Sequence, residues 1–239
     1  MAKSTKKTKK ESKPKGKENR GSVLINFVLD KSGSMGSCVD DTIGGFNTYI
    51  KKLREDKKST YKFSLTLFDT RFEERFVSVD LKDVPDLNTK NYVPGGGTAL
   101  YDAIGHSVNA IEKKGDTVGK VLTVILTDGQ ENSSREYRLQ MIKDLITRKE
   151  NQGNWTFVFL GADLTAFAVG DAMGVNLSNS VTYDTSNVHA AYANTAVATM
   201  AFSASSTPRT SDFYKSVPLR KMMAAGMSRR LPPKPRATR

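Results

Sequence analysis

The chain has 239 residues (26.3 kDa), room for one large domain or two small ones, and its 38% hydrophobic content predicts that most of it folds around a core. Its net charge of +12 is concentrated at the ends: residues 1–20 hold nine Lys/Arg against two Glu, residues 209–239 hold nine against one Asp, and the stretch between carries −3. A single cysteine, Cys38, excludes an internal disulfide and a cysteine-built zinc site, and two histidines, His106 and His189, leave little room for His-based chemistry.

Residues 1–20 contain no large apolar side chain after Met1, so they are expected to form a disordered basic tail that cannot offset its ordering entropy by burial. No apolar run follows the lysines, which argues against a secretory signal, and no stretch approaches the roughly 18 apolar residues of a membrane span. A cytoplasmic chain, associated with nucleic acid or a virion through its tails, is the expected setting.

Residues 23–29 (Val-Leu-Ile-Asn-Phe-Val-Leu) read as a strand buried on both faces. Residues 40–54 place Ile43, Phe46, Ile50 and Leu53 at helical spacing. Strands at 61–68 and 72–79, joined by Asp-Thr-Arg, predict an antiparallel hairpin at a sheet edge. A helix over 99–113, a buried strand over 121–126, a helix over 135–150 and a buried strand over 155–160 follow. A shorter helix over 164–173, a weak strand near 180–183 and an Ala-rich helix over 187–204 complete the domain, expected to span 21–208. Strands alternating with helices predict an α/β fold: a doubly wound, Rossmann-like sandwich with a mainly parallel sheet, one antiparallel edge strand and helices on both faces. Ligands of such sheets bind at the carboxyl ends of the strands.

Two polar clusters fall at such ends. The first strand runs into Asp30-Lys31-Ser32-Gly33-Ser34, and the strand at 121–126 runs into Thr127-Asp128-Gly129. A third, Pro94-Gly95-Gly96-Gly97-Thr98, precedes a helix, and its glycines would let the backbone bring Thr98 close to the others. Asp30, Ser32, Ser34, Thr98 and Asp128 are all oxygen donors. A carboxylate–hydroxyl set without His or Cys suits a hard cation, Mg²⁺ first, with Mn²⁺ and Ca²⁺ as alternatives.

In this arrangement the sequence resembles the von Willebrand factor type A (vWA) family, whose metal-ion-dependent adhesion site (MIDAS) uses Asp-x-Ser-x-Ser, then a Thr, then an Asp. The phrases Asp-Asp-Thr-Ile-Gly-Gly-Phe-Asn (40–47), Gly-Gly-Thr-Ala-Leu-Tyr-Asp-Ala-Ile-Gly (96–105) and Thr-Asp-Gly-Gln-Glu-Asn-Ser-Ser-Arg-Glu (127–136) look like the small stand-alone type A proteins of bacteria and phages, which are intracellular. The resemblance covers about residues 22–205. It implies that Asp30, Ser32, Ser34, Thr98 and Asp128 hold a divalent ion, directly or through water, and that an Asp or Glu of a protein partner completes its shell. It also implies that a shift between direct Thr and direct Asp coordination accompanies ligand binding.

Simpler readings stand beside this one. The Asp30–Ser34 stretch reads alone as a polar loop with Ser capping a helix, and Asp128-Gly129 as a turn. Asp69 reads as turn chemistry, Lys31 and Met35 as solvated loop residues or a rim to the site, His106 as a plain helix residue and Cys38 as a small buried thiol. A haloacid-dehalogenase-type phosphotransferase needs a second Asp where Ser32 stands, no P-loop is present, and neither histidine lies at a predicted strand end. A non-enzymatic binding module is therefore expected; the alternative is a nucleic-acid-associated structural or assembly protein in which the basic tails carry the function, with a metal-dependent hydrolase the weaker reading. The basic N-terminal tail, lacking aromatics, would contact DNA or RNA only non-specifically, and the −3 body would bind little. The 209–239 tail, with Phe213, Tyr214, Val217, Leu219, Met222, Met223, Met227 and Leu231, reads as a docking peptide for a protein partner or as a short helix packed on its own domain.

Overall fold

The computed structural model describes residues 21–115, 119–162 and 164–229. The expected N-terminal tail, residues 1–20, lies outside the described residues, as do residues 230–239.

The first strand, β1 (Gly21–Asp30), is buried from Val23 to Asp30. It pairs in parallel with β2 (Ser59–Phe68) on one side and β4 (Lys120–Thr127) on the other. The sheet order is β3-β2-β1-β4-β5-β6-β7, where β3 is Phe72–Asp80, β5 is Trp155–Gly161, β6 is Ser180–Thr182 and β7 is Ser228–Arg229. The chain leaves β1 towards β2 and later returns to its other side through β4. The two directions diverge between β1 and β4, the switch point where open α/β sheets form a crevice at their carboxyl ends.

Both faces are covered, as a run of strands buried on both sides requires. On one face α1 (Val39–Glu55) and α5 (Val188–Ala204) pack around Phe27. The Phe27 ring meets Phe46 edge-on at 5.8 Å and stacks on Tyr192 at 5.8 Å. On the other face Leu24 and Val28 of β1 and Ile125 of β4 meet Ile104 and Val108 of α2 (Leu100–Lys114) and Ile142 and Ile146 of α3 (Leu139–Asn151). The helix α4 (Leu164–Ala172) follows β5.

The predicted hairpin is present: β3 (Phe72–Asp80) is antiparallel to β2 at the sheet edge. Its register shifts twice, between the pairs of Phe63 and Leu65 and of Leu65 and Thr66, and Ser78 adopts φ 53°, its amide donating to Ser64 Oγ at 2.8 Å.

Two boundaries differ from the sequence reading. The third helix begins at Leu139, not at 135, because the carboxylate of Asp102 accepts the backbone N–H groups of Arg135, Glu136 and Tyr137 and holds them as a loop. The segment from 209, expected as a tail, continues the domain through residue 229. Phe213, Tyr214, Val217, Met222, Ala225 and Met227 are buried in the core on the α5 side. Asn179, fully buried, donates to the Thr210 carbonyl at 3.0 Å and accepts from the Phe213 amide at 2.8 Å. The short helix α6 (Leu219–Ala224) leads into β7 (Ser228–Arg229), antiparallel to β6, so a second antiparallel strand joins the one expected. Of the two readings of this segment, packing on its own domain is the one observed for residues 213–229.

Candidate metal centre

The site is assembled from three loops: those after β1 and β4, and the glycine loop that enters α2 and bonds to Asp69 and Thr70 just beyond the end of β2. Asp30 is the last residue of β1 and is fully buried. Ser32 and Ser34 follow as the chain enters a 3₁₀ turn, Gly33–Cys38. Ser32 stands at the position before that turn, yet its side chain makes no capping hydrogen bond. Its hydroxyl lies 3.1 Å from Ser34 Oγ, which donates to Asp128 Oδ1 at 2.6 Å. The helix-cap reading therefore does not hold for Ser32.

The loops are tied by reciprocal backbone bonds. Gly33 N donates to Gly96 O at 3.1 Å and Gly95 N to Lys31 O at 2.9 Å, joining the first loop to the glycine loop. Thr98 N donates to Asn132 Oδ1 at 2.8 Å, and Asn132 N returns a bond to Thr98 O at 3.0 Å, joining the glycine loop to the one after β4. Gly96 has φ +70°, and a side chain at Gly97 would collide with Ser133 and Asn132, so the close approach needs glycine at both positions. Thr98 is buried by this arrangement.

The five residues singled out by sequence thus converge. A Cβ placed on Gly129 would sit 3.0 Å from Thr98 Oγ1 and 3.6 Å from Ser34 Oγ, so both hydroxyls border one small volume beside Asp128. Of the two carboxylates in this set, Asp30 is the fully buried one. Burial pushes its carboxyl up to about 6; hydrogen bonds from Thr127 and Ser32 oppose this, and the charge of Asp128 adds to it. Two carboxylates faced by neutral hydroxyls, with a cradle above Gly129, fit a divalent cation. Among the described residues no three His, Cys, Asp or Glu side chains cluster as a metal site, so this donor set rests on hydroxyls and two carboxylates, the chemistry of a hard ion.

Several neighbours depart from their sequence reading or add to it. Met35, expected in solvent or at the rim, is fully buried in the core. Lys31 forms an ion pair with Asp69. Asp69 has the expected turn role, accepting the Arg71 amide at 2.9 Å, and its carbonyl also accepts the Ala99 amide at 2.7 Å, which steadies the Thr98 loop. Cys38 is buried, as expected. His106 stacks on Phe72 at 3.9 Å and hydrogen-bonds Glu136, away from the site residues.

Three supporting residues escaped the sequence reading. Thr127 donates to Asp30 Oδ2, Tyr92 donates its hydroxyl hydrogen to Asp30 O at 2.7 Å, and Asn132 positions Thr98 as described. Thr127 and Asn132 lie inside the phrase 127–136, so its polar density was the available signal. Tyr92 had none, since a lone aromatic before a glycine loop reads as core.

No protein-family model matches this chain, and no curated protein matches it in sequence. Solved structures do match in shape. The PilB minor pilin from Streptococcus sanguinis superposes with a TM-score of 0.59 at 13% identity, over 78% of this chain and 63% of that one. The vWF domain of the type V pili tip protein Mfa5 from Porphyromonas gingivalis gives 0.53 at 12% identity, over 73% of this chain and 93% of that one. The manganese-loaded TRAP protein of Plasmodium vivax gives 0.51 at 18%, over 72% of each chain. The chain spans less than two thirds of the pilin and 42% of a von Willebrand factor type A protein from Catenulispora acidiphila. Sheet order, loop geometry and these superpositions agree: the chain has the fold of a von Willebrand factor type A domain.

Proposed function

We propose that this chain is a non-enzymatic, metal-dependent protein-binding module. The observation that carries the reading is the convergence of Asp30, Ser32, Ser34, Thr98 and Asp128 at the switch point, where Ser32 Oγ meets Ser34 Oγ, Ser34 Oγ meets Asp128 Oδ1, and Thr98 and Ser34 both border the space over Gly129. These five residues would hold Mg²⁺, and the manganese-loaded relative supports a divalent ion of this kind. When bound, such an ion supplies a Lewis-acid position for a carboxylate. Its natural ligand here is an Asp or Glu side chain of another protein. Ser32 and Thr127 hold Asp30 in place, and the exposed Ser34 opens the site to solvent.

The test is a thermal shift with millimolar Mg²⁺ or Mn²⁺, paired with a pull-down with and without EDTA. Wild type should gain stability by mass action, and Asp30→Ala or Asp128→Ala should abolish the gain while keeping the fold. No shift and no calorimetric binding in the wild type would refute the site. Turnover of a phosphoester panel that disappears in Asp30→Ala would replace the binding reading with a hydrolase.

A further inference from the structure

The charge of −3 carried by residues 21–208 averages over two unlike ends. Because β1, β2, β4 and β5 run in one direction, α1, α2 and α3 all finish at the pole where those strands begin. That pole lies about 30 Å from Asp30, the length of a ten-residue strand. It exposes Lys51 near the end of α1, Lys57 and Lys58 in the α1–β2 connection, Lys113 and Lys114 closing α2, and Arg148 in the last turn of α3. Cations in a last turn complement the helix C-terminus, which explains Lys113, Lys114 and Arg148 one by one. Lys57 serves a helix end too, donating to the Arg54 carbonyl in the last turn of α1 at 3.2 Å, which leaves Lys58 as the cation that helix ends do not explain.

Three acids at this pole are engaged, while Glu55, Asp80 and Asp83 lie exposed there and offset part of the positive charge. Asp56 accepts from the Tyr61 hydroxyl and the Lys58 amide, Glu112 pairs with the buried Lys149, and Glu150 with Arg209. Among the described residues none of the six cations has a carboxylate within ion-pair distance.

We propose that this amino pole is a nucleic-acid surface, on which the body's own cations neutralise the phosphates of a duplex without reading its sequence. The pole spans four strands, about 14 Å, enough for several phosphates of one backbone. An anionic membrane is the poorer fit, since interfacial binding needs apolar insertion. Among the described residues the exposed large apolar ones are Val93, Leu139, Met141, Leu219 and Met223, and none belongs to an element end at this pole. The metal face of a second copy is also a poor fit, because its Asp30, Asp69, Asp102 and Glu131 are held by its own hydroxyls, Lys31 and loop amides.

The test uses full-length protein in EDTA and a labelled duplex of arbitrary sequence, titrated by fluorescence anisotropy from about 50 to 200 mM salt. The triple variant Lys57→Gln/Lys58→Gln/Lys113→Gln should lose roughly tenfold in affinity at mid-range salt, and its log–log salt slope should fall by about 2 to 3. Arg71→Gln/Arg135→Gln/Arg138→Gln removes equal charge at the metal face and should change affinity less than about threefold. Asp30→Ala should bind the duplex like wild type, so failure of the metal reading leaves this outcome untouched. The proposal is overturned if the two triple variants behave alike, if the first binds like wild type, or if phosphatidylserine vesicles bind in its place. It is equally overturned if the cations act instead in salt-sensitive self-association, seen by sedimentation without nucleic acid.

Discussion

Two stretches of irregular backbone are fixed here by opposite means. The loops around the metal centre are held by polar groups: Asp102 takes three backbone amides, Glu131 takes those of Tyr101, Ser133 and Ser134, and Asn132 bonds Thr98 in both directions. The segment 209–229 is held mainly by burial, with Phe213, Tyr214, Val217, Met222 and Met227 in the core and Asn179 as its main polar clamp. Polar fixation places oxygen atoms with precision and leaves them reachable, as a ligand site needs. Apolar fixation places a surface and closes it.

If this contrast is right, truncations should be felt most where burial holds the chain. Phe213→Ala should destabilise by about 3–5 kcal/mol in urea denaturation, the range for a buried aromatic. A value below 1 kcal/mol would mean that the segment is a docked tail and not core. In the loops, Asp102→Ala leaves three amides without their acceptor and should cost about 3 kcal/mol, while Asp102→Asn recovers part of it. The same variant should weaken divalent-ion binding without touching any proposed ligand, because the loop after β4 loses its anchor.

The metal centre also carries a pH signature. Burial raises the Asp30 carboxyl to about 6, so the metal-free folded protein holds this proton more tightly than the unfolded chain does. Its stabilising contribution is complete below about pH 4 and is lost as pH rises through 6, a change of roughly 2–3 kcal/mol. Denaturation in EDTA at pH 4 and pH 7 should show that loss in wild type and a much smaller one in Asp30→Asn. A divalent ion should restore stability at pH 7 in wild type only. The smallest effect is expected at Asn132→Ala, about 1 kcal/mol, since only the side-chain acceptor of the Thr98 amide is lost while the backbone amides of residues 132 and 133 still reach Thr98 O.

The same contrast decides how much could be read from sequence. Strands β1, β4 and β5 are short apolar runs, and α1 and α2 have apolar residues at helical spacing, so local pattern was enough to place them. The five site residues were readable because hydroxyls and carboxylates at strand ends have few structural uses in combination. What could not be read depended on partners far along the chain. Asp102 denies the helical start to residues 135–137 from a position over thirty residues earlier. Segment 209–229 mixes cations with apolar residues, and nothing local shows that Asn179 and Thr195 wait to receive it. Met35 looked like a loop residue because its neighbours are small and polar, yet the turn directs it into the core.

The irregular hairpin at the sheet edge has a consequence for how the chain behaves in a crowd. An edge strand offers unpaired N–H and C=O groups to any other strand that approaches. Here β3 breaks its own regularity twice, carries Glu73, Glu74 and Arg75 in a row, and turns at Ser78 through a left-handed conformation. Among the described residues the opposite edge strand is two residues long. Among those residues neither border offers a flat, uncharged run long enough for an incoming strand to zip onto, a feature that lets copies of this domain be concentrated together without fusing their sheets.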